Sequence, residues 1–565
     1  MSSLGRALRR FFFPPAGTPR WQRVLPYAVL GGLTLVVLVG GVYAWDYTNS
    51  PSFCGTSCHT MPPEYTAYLQ SPHSQVACVE CHIGRGFFAT KVSRKAGDLE
   101  HVFDTAFHNY AYPIRARKLR PARDTCEKCH SPDKFSDDSL REVRRFGTDA
   151  GNTATSTYLV LKTGGGTKRQ GLGRGIHWHV ENPVYYLPTD ELDQEIPYVK
   201  VVNDDGTTTE YVDITSGVDP STVNPDDLKQ MDCITCHNRI THLILTPEDT
   251  VDQLMSRGLI SSAIPDIRAR AVEVYGAEYA TVEEGQEAIA GLKDLYKQAD
   301  AEFVAQYPGL VDDAIVALQD AYAKSNFPEQ LVNYATHPNN IGHKDSPGCF
   351  RCHDGTHLNA EQEPIRLECN LCHSIPVVSG PPDFLANIEV SRGLEPSSHL
   401  DPSWIQLHRD VFDPSCANCH TTDDPGGVSN TSFCSNSACH GNVWEYAGFD
   451  APGLREIVLS KLPPAPTPTP LPAAAVVTFD SVVGPIFQQR CVACHGGASP
   501  IAGLDLSSYA GALKGSAEGP VILADDSAGS KLVAVQSGPQ NHFGQLSPEE
   551  LALVKGWIDA GVPAE

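Results

Sequence analysis

The sequence has too few basic residues to balance its acidic ones. It contains 43 Lys and Arg against 67 Asp and Glu, which gives a formal net charge of -24. Nucleic-acid binding requires a basic face that meets the phosphates, so this charge argues against a nucleic-acid partner. The same charge favours electrostatic attraction of partner proteins that carry a basic patch.

The sequence also has no cysteine left over for disulfides. All 18 Cys lie in nine units in which the second of two cysteines is followed directly by a histidine. A disulfide scaffold or a zinc ribbon gives no reason for that histidine. The unit is the attachment signature of c-type haem, in which two thioether bonds hold the porphyrin and the histidine binds the iron. The first and eighth units have three and four residues between their cysteines instead of two. The motifs, numbered one to nine in this order, are Cys54/Cys58/His59, Cys78/Cys81/His82, Cys126/Cys129/His130, Cys233/Cys236/His237, Cys349/Cys352/His353, Cys369/Cys372/His373, Cys416/Cys419/His420, Cys434/Cys439/His440 and Cys491/Cys494/His495.

Methionine is scarce, with four residues including the initiator, whereas histidine is abundant, with 21. We therefore expect most haem irons to have two histidine ligands and low potentials. Such irons have no free coordination position, which suits electron transfer and counts against reduction of a substrate at the iron. The sequence also has no CxxCK unit, which again counts against substrate reduction. The histidines outside the motifs are His73, His101, His108, His177, His179, His242, His337, His343, His357, His399, His408 and His542.

Some of these spare histidines are stronger candidates for second ligands than others. His542 is the leading candidate for the ninth motif, because the last domain has no methionine. His357 and His343 follow, since both are close in sequence to the fifth motif. If His177 and His179 point to opposite sides, at most one of them serves a given haem.

One long segment is free of charge. From Val24 to Trp45 the chain is mostly apolar, and its length of about 20 residues is that needed to span a membrane. Five arginines precede it, which predicts a single-pass anchor in the cytoplasmic membrane with the N-terminus in the cytoplasm. The motifs then lie on the periplasmic or extracytoplasmic side, where c-type haem is attached. A cleaved signal peptide is the alternative, but Tyr43 to Tyr47 makes a poor cleavage site.

The predicted fold class is mainly α with extensive irregular loops, wrapped around haems that form the core. A C-terminal α domain typical of small monohaem cytochromes c is predicted to follow. The expected segments are a basic cytoplasmic tail (1–23), a transmembrane helix (24–45), a tetrahaem domain with an insertion at about 131–230 (46–245), a haem-free helical spacer (246–335), a second tetrahaem domain (336–460), a Pro-rich linker (461–475) and a monohaem domain (476–565).

Several elements can be predicted within these segments. Tyr198 to Val202 and Thr207 to Val212 flank a turn at Asp204-Asp205-Gly206, which predicts a β-hairpin. The apolar spacing of the runs Val251–Tyr275 and Thr281–Ala323 predicts helices. A last helix is predicted after a cap at Ser547, with one apolar face formed by Leu551, Val554, Trp557 and Ile558.

Four stretches carry a resemblance to a known family. They are Cys54 to Pro62, Ser71 to His73, Cys78 to His82 and Cys233 to His242. With the anchor, they resemble the NapC/NirT/NrfH family of membrane-anchored tetrahaem quinol dehydrogenases. The longer chain, with its Cys349 to His357 stretch, is similar to extended, ImcH-like members.

The resemblance implies roles for individual residues. Met61 would bind the first haem, His242 the third and His73 the fourth, while His177 or His179 would serve the second. Lys91 and Asp98 would line a quinol pocket beside the first haem, with Glu100 and Lys95 as rivals. The carboxylate would accept a quinol proton and the lysine would orient a quinol oxygen. Alternatively, these charges form only a solvated helix face.

The leading functional hypothesis is a nine-haem electron conduit. It carries electrons from the membrane (mena)quinol pool to periplasmic or outer redox proteins, and its anchor contacts membrane lipid. Two alternatives remain. One is a terminal reductase of nitrogen or sulfur oxyanions, which would need an open iron site. The other is an electron-transfer subunit of a larger respiratory complex, whose anchor packs against other membrane chains.

Overall fold

The computed structural model describes most of the chain. The described residues are 3–97, 99–116, 120–131, 138–164, 175–203, 205–368, 370–379, 399, 401–408, 416, 420–461, 477–492, 495–496, 500–537 and 546–565. They fall into two compact units. The first comprises Met1–His130, Arg239–Val251 and Ala271–His337, and the second comprises Ser131–Asn238, Asp252–Arg270 and Pro338–Glu565.

The described helices are mostly short. Along the chain they are α1 (Ser3–Phe12), α2 (Arg20–Thr48), α3 (Pro51–Thr56), α4 (Pro62–Gln70), α5 (Cys78–His82), α6 (Phe88–Gly97), α7 (Leu99–Phe107), α8 (Trp178–Glu181), α9 (Cys233–Cys236), α10 (Pro247–Ser256), α11 (Ile267–Gly276), α12 (Val282–Ala290), α13 (Leu292–Ala299), α14 (Ala301–Gln306), α15 (Leu310–Ala323), α16 (Trp404–Leu407), α17 (Ser437–His440), α18 (Leu454–Ser460), α19 (Gly484–Arg490), α20 (Tyr509–Lys514), α21 (Lys531–Ser537) and α22 (Pro548–Asp559).

The strands all belong to the second unit. They are β1 (Ser139–Phe146), β2 (Ala154–Leu161), β3 (Val184–Leu187), β4 (Tyr198–Val202), β5 (Thr208–Asp213), β6 (Lys229–Gln230), β7 (His357–Leu358) and β8 (Val377–Ser379). The amount of sheet means that the expected mainly α fold is confirmed only in part. The fold combines short helices with two sheets.

Helix α2 contains the predicted membrane segment and is longer than predicted. It has 29 residues, which corresponds to about 44 Å of helix. Among the described residues it is the one helix long and apolar enough to cross a membrane. Side chains such as Leu35, Val36 and Val37 are exposed along it. An apolar surface of this extent is stable in lipid and costly in water.

The two long helical runs predicted after the fourth motif are each interrupted. Gly258, with φ of +72°, follows α10, and Pro265 precedes α11. The second run is divided into α12, α13, α14 and α15, with Pro308 before the last of these. The helices predicted in both runs are confirmed, but each run is divided, because glycine in the left-handed region and proline both stop a helix despite favourable apolar spacing.

Helices α12 and α15 pack closely in the first unit. Tyr322 of α15 is almost fully buried, and a Cβ on Gly285 of α12 would lie 2.3 Å from its ring. Glycine is thus required for this contact. The packing supports the helical character predicted for the motif-free segment.

Both sheets of the second unit are antiparallel. One has the strand order β1-β2-β8, and the other has the order β6-β3-β4-β5-β7. The predicted hairpin is confirmed, since Val202 of β4 pairs with Thr208 of β5. The insertion thus supplies most of both sheets, and β7 and β8 are added from the region of the fifth and sixth motifs.

Conventional apolar clusters also occur beside the motifs in the second unit. Val184, Tyr186, Ile196, Val199 and Cys352 form one of them. Leu358, Leu407, Leu454 and Val458 form another. The expectation that haems alone form the core is therefore too simple, because the sheet and the short helices bury apolar side chains of their own.

The C-terminal region has a core of its own. Val554, Trp557 and Ile558 of α22 are fully buried in it. Ser547 caps α22 together with Glu550, as the predicted N-terminus requires. Trp557 donates its indole N–H to the carbonyl of Pro563 at 2.9 Å. The predicted final helix and its apolar face are confirmed.

Candidate haem-attachment sites

A single helical turn carries most of the described motifs. In motifs three, four, five, seven and nine, the amide of the histidine donates to the carbonyl of the first cysteine at 2.8–3.0 Å. Residues i, i+3 and i+4 of a helical turn lie on one face. In motifs three, four and five, whose residues are all described, the turn therefore brings both thiols and the imidazole to the same side.

Local caps define where two of these turns begin. The Asp232 carboxylate accepts from the amide of Ile234 at 2.9 Å at the start of α9, which carries motif four. The Asn436 side-chain oxygen accepts from the amide of Ala438 at 2.8 Å before α17, which carries the end of motif eight. These caps satisfy backbone donors that a one-turn helix would otherwise leave open.

A buried arginine connects motifs four and five. Arg351, inside motif five, donates to the carbonyl of Thr235 inside motif four at 2.9 Å. It also donates to the carbonyls of Gly348 and Asp193 at 2.8 and 2.7 Å. Burial of a guanidinium is tolerated because several acceptors surround it. The side chain thereby holds the two attachment turns close together.

Burial disfavours the thiolate form of three motif cysteines. None of the fifteen cysteines that the structure describes is in a disulfide. Burial raises the pKa of Cys236 to about 11 and the pKa of both Cys352 and Cys372 to about 12. A zinc site requires thiolates, whereas a thioether is uncharged and tolerates burial. Cys369, Cys419 and Cys494 lie outside the described residues.

Two predicted attachment cysteines, Cys58 and Cys129, lie just beyond the end of a short helical turn. Cys58 lies after the end of α3 and is half-buried. The extra residue of its motif moves His59 to position i+5, which is off the face that i, i+3 and i+4 share. Cys129 is exposed, because it follows a 3₁₀ turn of three residues, Cys126–Lys128. The haem attachment of Cys58 and Cys129, like that of the other motif cysteines, stays a prediction from the motifs.

Eight motif histidines each face a second histidine of the same unit. Two imidazoles bound to opposite sides of one iron leave their ring centroids roughly 6 Å apart. The observed centroid distances are 6.3 Å for His59–His108, 6.3 Å for His82–His242, 6.0 Å for His130–His73, 6.4 Å for His237–His177, 5.8 Å for His353–His179, 6.4 Å for His373–His343, 6.0 Å for His420–His399 and 6.4 Å for His440–His408. The residues present therefore fit a haem iron between each pair.

Hydrogen bonds fix the orientation of many of these rings. The Nδ1 atoms of His177, His179 and His408 lie 2.6, 2.9 and 2.7 Å from the carbonyls of Thr163, Ile176 and Ile405. Those of His353 and His373 lie 2.6 Å from backbone carbonyls. A carbonyl accepts only from a protonated Nδ1, so Nε2 keeps its lone pair for a metal.

Burial and stacking further restrict several of the rings. Burial lowers the pKa of His353 to about 4 and also lowers the pKa of His179, His343 and His373. A neutral imidazole is the form that binds metal. His343 also stacks on Phe350, with centroids 4.4 Å apart and an interplanar angle of 5°.

The pairings differ from those implied by family resemblance. His73 faces His130 of motif three, and His242 faces His82 of motif two. His177 faces His237 of motif four, and His179 faces His353 of motif five. The expected assignments to the fourth, third and second haems are corrected accordingly. Chain order does not determine which side of a haem a distant histidine reaches.

His357 does not pair with a motif histidine and is corrected as a ligand candidate. Its Nδ1 lies 2.9 Å from a carboxylate oxygen of Asp354, and its Nε2 lies 2.6 Å from the carbonyl of Ile196. Only 2% of the residue is exposed. Both ring nitrogens are thus engaged in the protein interior. His343 faces His373 instead, and His542 lies outside the described residues.

Three histidines of the observed pairs were not singled out from the sequence. His108, His399 and His408 belong to the spare histidines but have no distinctive spacing to a motif. The sequence offered only a count of residues as a signal, because each six-coordinate haem iron requires a second ligand and methionines are few. Motif spacing alone could not select them.

The first motif has an additional polar environment. The hydroxyl of Tyr110 lies 3.2 Å from Nε2 of His59, and that of Tyr112 lies 3.3 Å from its Nδ1. Met61, the ligand expected here, is the N-cap residue of α4. The side chain found facing His59 is His108, so the geometry favours histidine over Met61 at this position.

The buried carboxylate of Glu64 contacts the partner of motif two. Its Oε2 lies 2.9 Å from Nδ1 of His242, and its Oε1 lies 3.7 Å from Nη2 of Arg239. Burial alone would raise the pKa of Glu64, but the hydrogen bond and the charges of His242 and Arg239 lower it below its ordinary value. The group is therefore a carboxylate anion at neutral pH.

Comparison with known proteins identifies the family of the chain. Residues 20–138 match the N-terminal region of the NapC/NirT cytochrome c family. The chain is 34% identical over 418 residues to the cytochrome c-type protein ImcH of Geobacter sulfurreducens, covering 72% of this chain and 80% of that protein. The chain belongs to the NapC/NirT cytochrome c family. It is also 30% identical over 115 residues to the cytochrome c-type protein NrfH of Wolinella succinogenes, covering 20% of this chain and 64% of that protein.

This NapC/NirT-family chain is a membrane-anchored multihaem c-type cytochrome of electron transport with covalently bound haem c. Residues 491–537 match a second family, described as Planctomycete cytochrome C. That match covers the ninth motif, as the predicted C-terminal domain requires. No solved structure matches the chain.

The described residues among those expected at a quinol pocket of this NapC/NirT cytochrome lie on two helices, α6 and α7. Lys91 is on α6, and Glu100 is exposed on α7, while Asp98 lies outside the described residues. Lys95 is engaged elsewhere, because its Nζ donates to the carbonyl of Thr48 at 2.6 Å and to the side chain of Asn49. It therefore connects α6 to the end of α2.

Proposed function

We propose that this cytochrome binds nine haem c groups and conducts electrons from membrane quinol to acceptors on the extracytoplasmic side. The observation that carries the proposal is the set of eight facing histidine pairs, each of which contains one motif histidine. Bound haem iron supplies reversible one-electron transfer. The protein holds the haems through the cysteines and both histidines of each pair.

The ninth site follows the same design in part. His495 lies in the turn after Cys491, and its Nδ1 is 3.2 Å from the carbonyl of Ile501. This contact orients the imidazole as in the other sites. We assign His542 as its second ligand, since the last domain has no methionine and no other spare histidine.

Paired histidines favour conduction over catalysis at the irons. Two axial imidazoles leave no coordination position for an oxyanion substrate. The aromatic and backbone contacts of these imidazoles also hold them in place, as for His343 against Phe350. This arrangement supports an electron conduit and counts against a terminal reductase.

The proposed quinol pocket lies beside the end of the membrane helix. Phe88 of α6 has its ring centroid 5.3 Å from that of Trp45 in α2. Phe87 and Phe88, next to this contact in the chain, are exposed, as are Phe103 and Phe107 of α7. Exposed apolar side chains close to the anchor suit entry of a lipid-soluble substrate from the membrane. The basic N-terminal tail would remain in the cytoplasm.

The chemistry of that pocket is proton removal. A quinol that loses two electrons also loses two protons, and these require acceptors. We assign this role to Asp98, with Glu100 as the alternative carboxylate, and assign Lys91 to a hydrogen bond with a quinol oxygen. Lys95 is not assigned to the pocket, because it is bound to Thr48 and Asn49.

The test compares quinol-driven and chemical reduction of the purified protein. The double variant Lys91→Ala/Asp98→Ala is expected to lose more than 90% of the rate of haem reduction by a menaquinol analogue, while dithionite still reduces every haem. The matched control is Lys324→Ala/Asp320→Ala, which removes an exposed lysine–aspartate pair of the same charge and is expected to keep the full rate. An unchanged rate of quinol-driven haem reduction in the first variant would refute the assignment of Lys91 and Asp98 to the quinol pocket.

A further inference from the structure

Glu64 distinguishes the histidine pair of motif two from other pairs. At three other distal positions, His177, His179 and His408, Nδ1 lies against a backbone carbonyl. The Nδ1 of His242 lies 3.0 Å from the carbonyl of Glu64 and also 2.9 Å from its carboxylate. One residue therefore offers both a neutral and a charged acceptor to the same ring nitrogen.

The carboxylate is placed where its charge is poorly screened. Its side chain is 13% exposed, and that of His242 is 25% exposed. Interactions between charges are stronger in such surroundings than in water. Arg239, 15% exposed, lies 3.7 Å from one carboxylate oxygen, Oε1, while the other, Oε2, contacts His242.

A carboxylate that accepts from Nδ1–H increases the basicity of the imidazole. The more electron-rich ligand, together with the nearby negative charge, stabilises the oxidised iron over the reduced iron, which has one positive charge fewer. Hydrogen bonding and net charge around a haem ligand are established determinants of its potential. The expected effect is confined to the haem whose ligand touches the carboxylate.

We propose that Glu64 is a positioning residue that lowers the reduction potential of the haem held by His82 and His242. This inference rests on the proposed function, in which His242 is the second ligand of that haem. A low potential at this site would make it the haem from which electrons leave most readily along the chain. The backbone carbonyl of Glu64 would still orient the ring if the carboxylate were removed.

The experiment is a potentiometric titration of the purified full-length cytochrome, carried out on the parent and the variants. Visible absorption of the haems monitors their reduction during the titration. In Glu64→Gln, one component is expected to move to a more positive potential while the others stay in place. Glu64→Ala should produce a shift of the same sign, because the carboxylate is lost. The backbone carbonyl of residue 64 remains and keeps the ring of His242 oriented. Glu64→Asp keeps the charge and should stay closer to the parent than Glu64→Gln.

Asp252→Asn is the control for loss of a buried carboxylate. Asp252 is paired with Arg145 and Arg268 at 3.4 and 3.2 Å and its side chain is 3% exposed. Its removal should leave all component potentials unchanged. Equal shifts in Asp252→Asn and Glu64→Gln would overturn the inference, because they would indicate a general effect of protein charge. Titrations of Glu64→Gln and Glu64→Ala that superimpose on the parent would overturn it as well.

Failure of the inference can be separated from failure of the proposed function. In His242→Ala, electron paramagnetic resonance should show the loss of one low-spin haem signal at an unchanged haem mass. Unchanged low-spin signals would refute the ligand assignment itself. Loss of the signal in His242→Ala, combined with unchanged potentials in the Glu64 variants, would refute only the role of Glu64.

Discussion

His179 faces His353 with ring centroids 5.8 Å apart and ring planes at 89°. Two residues earlier in the chain, His177 faces His237 of a different motif, with centroids 6.4 Å apart and planes at 25°. One short segment around α8 thus supplies imidazoles to two attachment sites. Motifs four and five are also connected by Arg351, whose guanidinium bridges their backbones. In the proposed function, these contacts would hold the haems of motifs four and five next to each other.

The first prediction concerns this pair of histidines. His179→Ala should convert one low-spin haem to a high-spin or water-ligated form, because the iron at motif five loses one axial imidazole. His177→Ala should do the same at motif four. Electron paramagnetic resonance of the oxidised protein measures both effects, and the double variant should lose two low-spin signals.

His357→Ala serves as the control for loss of a buried histidine. It should leave the number of low-spin signals unchanged, because both nitrogens of His357 are hydrogen-bonded within the protein. It should lower the unfolding free energy by about 1–3 kcal/mol, since buried partners lose their hydrogen bonds. Loss of a low-spin signal in this control would contradict our reading of His357.

The second prediction concerns the attachment of α6 to the membrane helix. In Lys95→Met the hydrogen bonds to Thr48 and Asn49 and the contact with Trp45, 5.4 Å from the ring centre, are lost. Hydrogen bonds from charged groups stabilise by about 1.5–3 kcal/mol. Amide hydrogen exchange in α6 should therefore become roughly tenfold faster or more. Lys293→Met, which removes an exposed partner of Asp312, should leave that exchange unchanged.

The third prediction concerns stability at acidic pH. Burial, together with the nearby positive charge of Arg239, lowers the pKa of His337 to about 4. The unfolded chain, with an ordinary pKa near 6.5, binds this proton first as the pH falls. The folded state therefore loses stability as the pH falls from about 6.5 towards 4, and His337→Gln should reduce that loss.

Thermal unfolding in detergent at pH 7.5 and pH 5 measures the effect of His337. The drop in midpoint temperature between the two values should be smaller in His337→Gln than in the parent. A surface variant such as Glu518→Gln should keep the parental drop, because Glu518 titrates below this pH range and is fully exposed. An identical drop in parent and His337→Gln would show that His337 does not contribute.

Much of this protein was accessible from its sequence. The attachment motifs, the apolar anchor and the hairpin of Tyr198–Val202 with Thr208–Asp213 all depend on residues close together in the chain. Local spacing is sufficient for such features, because a single helical turn or a two-strand turn is formed by neighbours. Family resemblance likewise came from motif order.

The ends of the helices within the two long runs were harder to predict from the sequence, although the composition of the runs favoured helix. Gly258 and Pro265 interrupt the first, and Pro308 precedes α15 in the second. Apolar periodicity indicates which face of a helix is buried, but a single glycine or proline determines where the helix ends. Apart from the β4–β5 hairpin, the two sheets were not predicted, and strands β7 and β8 join them from distant parts of the chain.

The sequence by itself determined that this chain attaches haem, because thioether chemistry requires two cysteines and a histidine close together in the chain. It also determined the anchor, since a long uncharged apolar segment has few stable environments other than lipid. Only the tertiary structure decided which distant histidine faces each motif, as for His73 with His130 and His242 with His82. A second axial ligand has to reach the opposite side of the haem plane, and the chain path through space, not spacing along the sequence, brings it there.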